Sequence, residues 1–167
     1  MFIDKIDKKW MPRCALLPKY PEEYFTNLLN KLKPEVVLEI GTWTGVTAAF
    51  LASFPFVKKV YTIDNQRLTN GKLWGGMELS KKIQYIVVKD NNEKKDKVKD
   101  INFDFVFIDG DHSYEGVKLD FEMVKDKCKH ILFHDYGTNP QVTKFIDGLS
   151  GITQKRSDMS FAKWEKK

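Results

Sequence analysis

Residues able to do chemistry gather in a few short stretches of this 167-residue chain. The densest is FDFVFIDGDHSYE, residues 103–115, where an apolar run through Phe103, Phe105, Val106, Phe107 and Ile108 gives way to Asp109, Asp111 and His112. Gly110 permits a tight turn there and Ser113 is placed to cap a following helix. A second acid and imidazole pair, His134-Asp135, follows the apolar run Ile131, Leu132 and Phe133. A third stretch, EIGTWTG at residues 39–45, closes the run from Val36, and Asp64 follows Gly41 by 23 positions (64 − 41). Lys89, Asp90 and Asn91 end another apolar run. Short, nearly continuous apolar runs are the pattern of strands buried on both faces of a parallel sheet, and ligands bind at the carboxyl edge of such sheets. The chemistry at that edge is first of all binding. A glycine turn leading into a helix presents backbone N–H groups to a ligand, and Gly41 would let the ligand approach the backbone. Asp64 would accept hydrogen bonds from both hydroxyls of a ribose; the alternative is that Asp64 and Asn65 only shape a turn.

The elements that must hold these groups can be read along the chain. Residues 1–20 contain Pro12 and Pro18 and no sustained period, which predicts an irregular arm whose Trp10, Met11, Leu16 and Leu17 cover the core or the site. Pro21 suits the first helical position, and Tyr24, Phe25, Leu28, Leu29 and Leu32 recur at helical spacing up to Pro34. A first strand over Val36–Ile40 precedes a helix through Val46, Ala49, Phe50 and Ala52. The second strand runs from Val57 to Ile63, and the third from Ile83 to Val88, after a glycine-rich stretch at 66–80 that predicts a mobile loop with a weak helix. Trp74 and Met77 in that loop are substrate contacts or satellite core. A charged helix over residues 92–100, the fourth strand at Phe103–Ile108, a helix from Tyr114 to Cys128, the fifth strand at 131–133 and a helix through Val142, Phe145, Ile146 and Leu149 follow in turn. The tail predicts two short strands about a turn near Ser157 and Asp158, an antiparallel hairpin added to the sheet.

Bulk properties narrow the function classes. The length suits one domain, residues 1–167, with residues 1–34 as arm and first helix. No apolar run approaches the roughly 20 residues that span a membrane. MFIDKIDKKW mixes acids with lysines and lacks the apolar segment of a secretory signal. Two distant cysteines, Cys14 and Cys128, fit a reducing cytoplasm. The net charge of +5 leaves an anionic partner open, but Lys94, Lys95, Lys97 and Lys99 alternate with acids and read as a solvated helix face.

The motifs EIGTWTG, IDGDHSYEGV and FHDY together resemble the class I S-adenosylmethionine-dependent methyltransferases, within them the small-molecule O-methyltransferases of the macrocin, cephalosporin and catechol-like kind. The resemblance covers roughly residues 35–136 and is most specific in IDGDHSYEG. It implies a Rossmann-like α/β sandwich with a seven-stranded, mainly parallel sheet. Glu39, Gly41, Thr42, Trp43 and Gly45 would hold the methionine part of S-adenosyl-L-methionine, Asp64 its ribose, and Asp90 with Asn91 would lie near adenine. Asp109 would border the cofactor and, with His134 and Asp135, hold a divalent cation, Mg or Mn; His112 would be the catalytic base. Two departures matter. Trp43 blocks the close backbone approach of a pyrophosphate and so argues against a nicotinamide dehydrogenase. An imidazole at position 134 suits manganese, iron or zinc better than magnesium.

These expectations suit an O-methyltransferase acting on a small hydroxylated molecule. A cation can acidify the substrate hydroxyl and His112 can take its proton, provided the nearby helix start keeps the imidazole neutral. The alternatives are a binding module that holds the cofactor without turnover and a nucleic-acid methyltransferase; no Asn-Pro-Pro-aromatic motif supports the latter. No membrane partner is expected, and a homo-oligomer is left open.

Overall fold

The computed structural model describes Phe2, Ala15, Leu16 and residues 19–66 and 78–166. The expected roles of Trp10, Met11, Leu17, Trp74 and Met77, and the thiol of Cys14, lie outside those residues.

Helix α1 (Lys19–Leu32) leads into β1 (Val36–Ile40), α2 (Val46–Ala52) and β2 (Lys59–Asp64). After a 3-10 turn at Glu78–Lys82 come β3 (Ile83–Val87), α3 (Asn91–Val98), β4 (Phe105–Ile108), α4 (Tyr114–Val124), β5 (His130–Phe133) and α5 (Pro140–Asp147). Strands β6 (Ile152–Arg156) and β7 (Phe161–Glu165) close the chain. They form one seven-stranded sheet in the order β3-β2-β1-β4-β5-β7-β6, parallel from β3 to β5 and antiparallel in the last two pairings. The chain builds outward from β1 in one direction, then returns to start β4 on its other side. A crevice therefore opens above the β1–β4 boundary.

The alternation along β4 explains the layers. Phe105 and Phe107 point to one face, where they meet Phe25 of α1, Phe50 of α2 and Phe161 of β7 in one cluster. Val106 and Ile108 point to the other, where Val117 and Phe121 of α4 and Phe145 of α5 cover them. Phe25 is the hub of the first cluster. Its ring lies 5.4 Å from Phe50, 5.8 Å from Phe105, 5.1 Å from Phe107 and 5.8 Å from Phe161. Asp104, the charge that interrupts the apolar run before β4, aligns the strand entries: its Oδ2 accepts from the N–H groups of Glu35 at 2.9 Å and Val36 at 2.8 Å.

The structure departs from the sequence reading in several details. Val57 is buried but precedes β2, because Val57 and Lys58 make turn and edge hydrogen bonds to Phe54 and Glu35. Helix α4 stops at Val124, and Cys128 packs in the core beyond it, with burial pushing its thiol up to about 12. Lys94 leaves the solvated face assigned to the α3 lysines: its amine is buried against Asp120 at 2.6 Å, while Lys95, Lys97 and Lys99 stay exposed.

The aromatic hub predicts a steep stability response. Phe25→Ala should cost about 3–5 kcal/mol in denaturant unfolding, whereas Leu119→Ala, on the exposed side of α4, should stay within about 0.5 kcal/mol. Equal shifts for the two would show that the cluster is not the stabilising contact.

Candidate active site

The ladder hydrogen bonds continue past the strand ends and set the site residues side by side. Gly41 N–H donates to Ile63 O at 2.8 Å, Asp109 N–H to Ile40 O at 2.8 Å, His134 N–H to Ile108 O at 3.0 Å and Val88 N–H to Asp64 O at 3.0 Å. The groups that follow β1, β2, β3, β4 and β5 thus arrive at one edge in sheet order. They line a cleft of about 1070 Å³ that includes Gly41, Trp43, Asp64, Asp90, Asn91, Asp109, His112, His134 and Asp135. Glu39, Thr42 and Gly45 do not reach it; they are buried behind its wall.

Gly41 adopts φ +97°, and a Cβ there would lie 2.0 Å from the carbonyl oxygen of Asp109. The glycine is required because the turn after β1 packs against the backbone after β4, a reason the sequence did not show beside the expected ligand approach. Asp64 ties the same turn down from the other side. Its Oδ2 accepts from the N–H groups of Thr42 at 2.8 Å and Trp43 at 3.0 Å, and its Oδ1 from Gln66 at 3.0 Å. The turn-shaping alternative for Asp64 is therefore real, and a ligand at this carboxylate would share it with, or replace, these donors. Trp43 is held at φ +46°, a region few non-glycine residues occupy, with its side chain 54% exposed at the cleft.

Behind this turn lies a buried polar relay that sequence reasoning missed in part. Thr62 hydroxyl donates to Glu39 Oε2, and the Thr42 and Thr62 hydroxyls are 2.6 Å apart. Glu39 Oε1 has no partner among the described residues. Burial pushes the Glu39 carboxyl well above its usual range, the Thr62 hydrogen bond opposing. The signal for Thr62 was its place opposite Glu39 in the β1–β2 register, which spacing alone does not reveal.

Across the crevice, Asp109, His134 and Asp135 each offer a ligand atom, all within 4.8 Å of one another. His134 Nδ1 is 3.0 Å from Asp109 Oδ1 and 3.4 Å from Asp135 Oδ1. Its ring is set by Phe161, 5.6 Å away, and Phe107, 6.3 Å away. His112 Nε2 reaches Asp135 Oδ2 at 2.9 Å and Asp109 Oδ1 at 3.5 Å. Asp135 adopts φ +61°, and Thr138 Oγ1 donates to its Oδ1 at 3.2 Å. Two imidazoles thus bridge two carboxylates. Hydrogen bonding to Asp109 and Asp135 lifts His112 to about 10; burial disfavours charge on His134, yet the same two acids lift it to about 9. Burial would raise Asp135, but the hydrogen bonds from His112 and His134 win and hold it far below the usual carboxylate range. The expected neutral imidazole at His112 is therefore not what this arrangement favours, because two adjacent anions outweigh the helix start.

Asp90 and Asn91 stand where the sequence put them, at the end of β3, but the Asp90 side chain is occupied as a helix cap, accepting from Glu93 N–H at 2.9 Å. Asp111 accepts from Ser113 N–H at 2.9 Å, and Ser113 caps α4 by accepting from Gly116 N–H at 3.0 Å. Thr138, Asn139 and Ser160 also line the cleft. No sequence motif pointed to them. Thr138 and Asn139 follow Asp135 in the turn after β5, whereas Ser160 precedes β7 and reaches the edge through the antiparallel pairing of β7 with β5.

A family model described as "Methyltransferase domain" matches residues 38–136, more than half of the chain. No curated protein matches the sequence. Among solved structures, the chain is similar to a Staphylococcus aureus protein described as a caffeoyl-CoA O-methyltransferase, with 17% identity, a TM-score of 0.73, and 90% of this chain and 85% of that one covered. An O-methyltransferase from Bacillus cereus in complex with SAH gives 13% identity and 0.68, over 90% and 82%. The O-methyltransferase TomG from Streptomyces achromogenes, involved in tomaymycin synthesis and in complex with SAM, gives 15% and 0.66, over 93% and 82%. At these identities the structural likeness establishes a shared fold.

The bridged cluster has a pH signature of its own. Folded-state pKa values raised from 6.5 to about 10 and about 9 mean stabilisation that is fully present below pH 6.5 and lost as pH rises through those values. The metal-free protein should therefore melt at progressively lower temperature from pH 6.5 to about 10, and His112→Gln should flatten much of that slope. Identical pH profiles for parent and variant would exclude the bridge.

Proposed function

Since the chain belongs to the methyltransferase domain family, we propose that it transfers the methyl group of S-adenosylmethionine to a hydroxyl of a small molecule, with a divalent cation at Asp109, His134 and Asp135. Dependence on S-adenosylmethionine comes with class I membership; acceptor and metal are the proposal. The observation that carries it is the meeting, in one cleft, of the glycine turn with Asp64 on one side and the Asp109, His134, Asp135 and His112 cluster on the other. The cleft volume is at the upper end for small-ligand sites, enough for a nucleoside-sized cofactor beside a small acceptor.

The residues present fit both groups. Two carboxylates that hold two protonated imidazoles form a site whose protons a cation could replace, and one imidazole in the set favours manganese, iron or zinc over magnesium. When bound, a cation would lower the pKa of an acceptor hydroxyl, and S-adenosylmethionine would supply an electrophilic methyl for in-line displacement. The chain's own residues position and exchange the proton. His112 Nε2 holds a proton against Asp135 and Asp109, and must lose it before it can accept one from the acceptor. With both carboxylates committed elsewhere, His112 loses the partners that raise its pKa and Nε2 becomes a base near neutral pH. His134 is buried against Phe107 and Phe161 and is better suited to hold than to shuttle. Trp43, exposed at the cleft beside Asp64, would offer the methionine part of the cofactor an apolar surface. A cytoplasmic setting, a small-molecule rather than nucleic-acid acceptor and a single domain complete the reading.

Two measurements test it. Calorimetry with manganese at pH 7.5, in buffers of different ionisation enthalpy, should show one or two protons released per ion, because imidazoliums give up their protons as the carboxylates bind metal. Asp109→Asn should abolish both binding and release; metal binding with no proton release would argue against the cluster as the site. In turnover with a set of hydroxyl acceptors, His112→Ala should lose about 10²- to 10⁴-fold in rate and keep its affinity for S-adenosylhomocysteine. Full activity in that variant, or in parent protein under excess chelator, would move activation of the acceptor away from this cluster.

A further inference from the structure

Lys94 and Asp120 form a buried ion pair that the reaction described above does not use. Lys94, in the first turns of α3, reaches across to α4, where its Nζ lies 2.6 Å from Asp120 Oδ1. The side chains are 13% and 1% exposed, so both charges have been taken largely out of water. Such a pair is expensive to bury, and the attraction between the charges repays that cost only with good geometry and further hydrogen bonds. Asp120 Oδ2 has no partner among the described residues. It lies 3.1 Å from where a Cβ of Gly110 would be, so Asp120 packs directly under the cleft floor. Lys94 is itself part of the cleft lining, together with Ile40, Ile63, Val88, Gly110 and Asp111.

This assembly has the chemistry of a purine reader. An ammonium has three donors, and Asp120 Oδ1 takes one of them. The others belong to a cation anchored from behind on the wall of a cleft whose neighbouring side chains, Ile40, Ile63 and Val88, are apolar. A flat base fits against such a surface, and its ring nitrogens are acceptors that a fixed lysine can meet. Asp109, His112, His134 and Asp135 follow β4 and β5, Asp64 ends β2, and Asp90 and Asn91 follow β3; from the same connection Lys94 reaches back to Asp120, so that its amine lies by Gly110 and Asp111 in the cleft lining.

We propose that Lys94, held in place by Asp120, donates a hydrogen bond to a ring nitrogen of the cofactor's adenine and selects that base. The inference rests on the reading of this cleft as the S-adenosylmethionine site. Asp111, beside it at the start of the turn to α4, offers a carboxylate oxygen for the exocyclic amine. Lys94 is a binding residue in this scheme and Asp120 a positioning residue, because Asp120 lies behind the wall and acts only through the amine.

The test compares S-adenosylhomocysteine with three analogues in which N1, N3 or N7 of the adenine is replaced by C–H, titrated calorimetrically into the whole protein. The parent protein should bind one of the analogues about 10- to 100-fold more weakly than S-adenosylhomocysteine, as expected for loss of a hydrogen bond to a charged donor. In the double variant Lys94→Met with Asp120→Asn, which leaves no uncompensated carboxylate buried, S-adenosylhomocysteine should fall to the level of that analogue and the preference should vanish. Parent protein that binds all four ligands within twofold, or a double variant that keeps the preference, overturns the assignment. Parent protein that binds none of the four removes the cofactor reading and this inference with it, whereas retained binding without a Lys94-dependent preference removes the inference alone.

Discussion

Everything at the ligand edge depends on how closely the backbone after β1 can approach the backbone after β4. A side chain at position 41 would stand 2.0 Å from the Asp109 carbonyl oxygen and 2.9 Å from the Gly110 Cα. With glycine there, the two strand ends meet, Asp109 N–H bonds to Ile40 O, and the carboxylate of Asp109 emerges beside the turn that carries Trp43. The same contact lies at the point where strand order reverses, the boundary above which the crevice opens. Asp64 completes the constraint by fixing the other flank of the turn with two N–H bonds. A binding loop that was simply flexible would lose entropy on ligation; this one is already fixed by groups from β2 and β4.

The second organising fact is a charge balance that closes locally. Asp109 and Asp135 face two imidazoles, Lys94 faces Asp120, and Glu39 has no cation at all. Each arrangement solves burial differently. The first draws in protons that a cation could replace, the second is a fixed ion pair, and the third favours a neutral carboxyl, since an ionised Glu39 would be a buried charge with a single hydroxyl donor. The positive φ of Asp135 and of Trp43 adds backbone strain at the same edge. Strain at such positions persists only where surrounding contacts hold it, here the His112 and Thr138 bonds of Asp135 and the Asp64 bond of Trp43.

Much of this could be read from the sequence because the strands are short and buried on both faces. Runs such as FVFI have no polar alternation to confuse with a helix, and each ends in a cluster of polar residues that must lie at the same edge if the strands are parallel. The hairpin of β6 and β7 was equally legible from its turn residues. What spacing could not supply was partnership across the fold. Lys94 sits among lysines that do face solvent, and only the packing of α3 against α4 distinguishes it. Gly41 was marked for ligand approach, and the close contact that spacing could not show is with Asp109, 68 positions on (109 − 41), across the β1–β4 pairing. His112 was identified by position, yet its protonation follows from Asp135, a residue on another strand end.

The buried Glu39 relay shows how the turn after β1 can be held without presenting its acid to the cleft. Glu39 and Thr62 are register partners in β1 and β2, and Thr42 lies in the turn itself. Thr62 donates its only hydroxyl proton to Glu39, so in the pair of hydroxyls it must accept from Thr42. The direction of the chain of hydrogen bonds is therefore fixed, running from the turn inward to the acid. Removing the proton from Glu39 would leave a full charge with that one donor, and its unpartnered Oε1 would have nothing to receive it. Burial therefore favours the neutral carboxyl against the pull of the Thr62 donor, which by itself would favour the charge. The backbone of the turn is left with its N–H groups directed at Asp64 rather than at the acid beneath it.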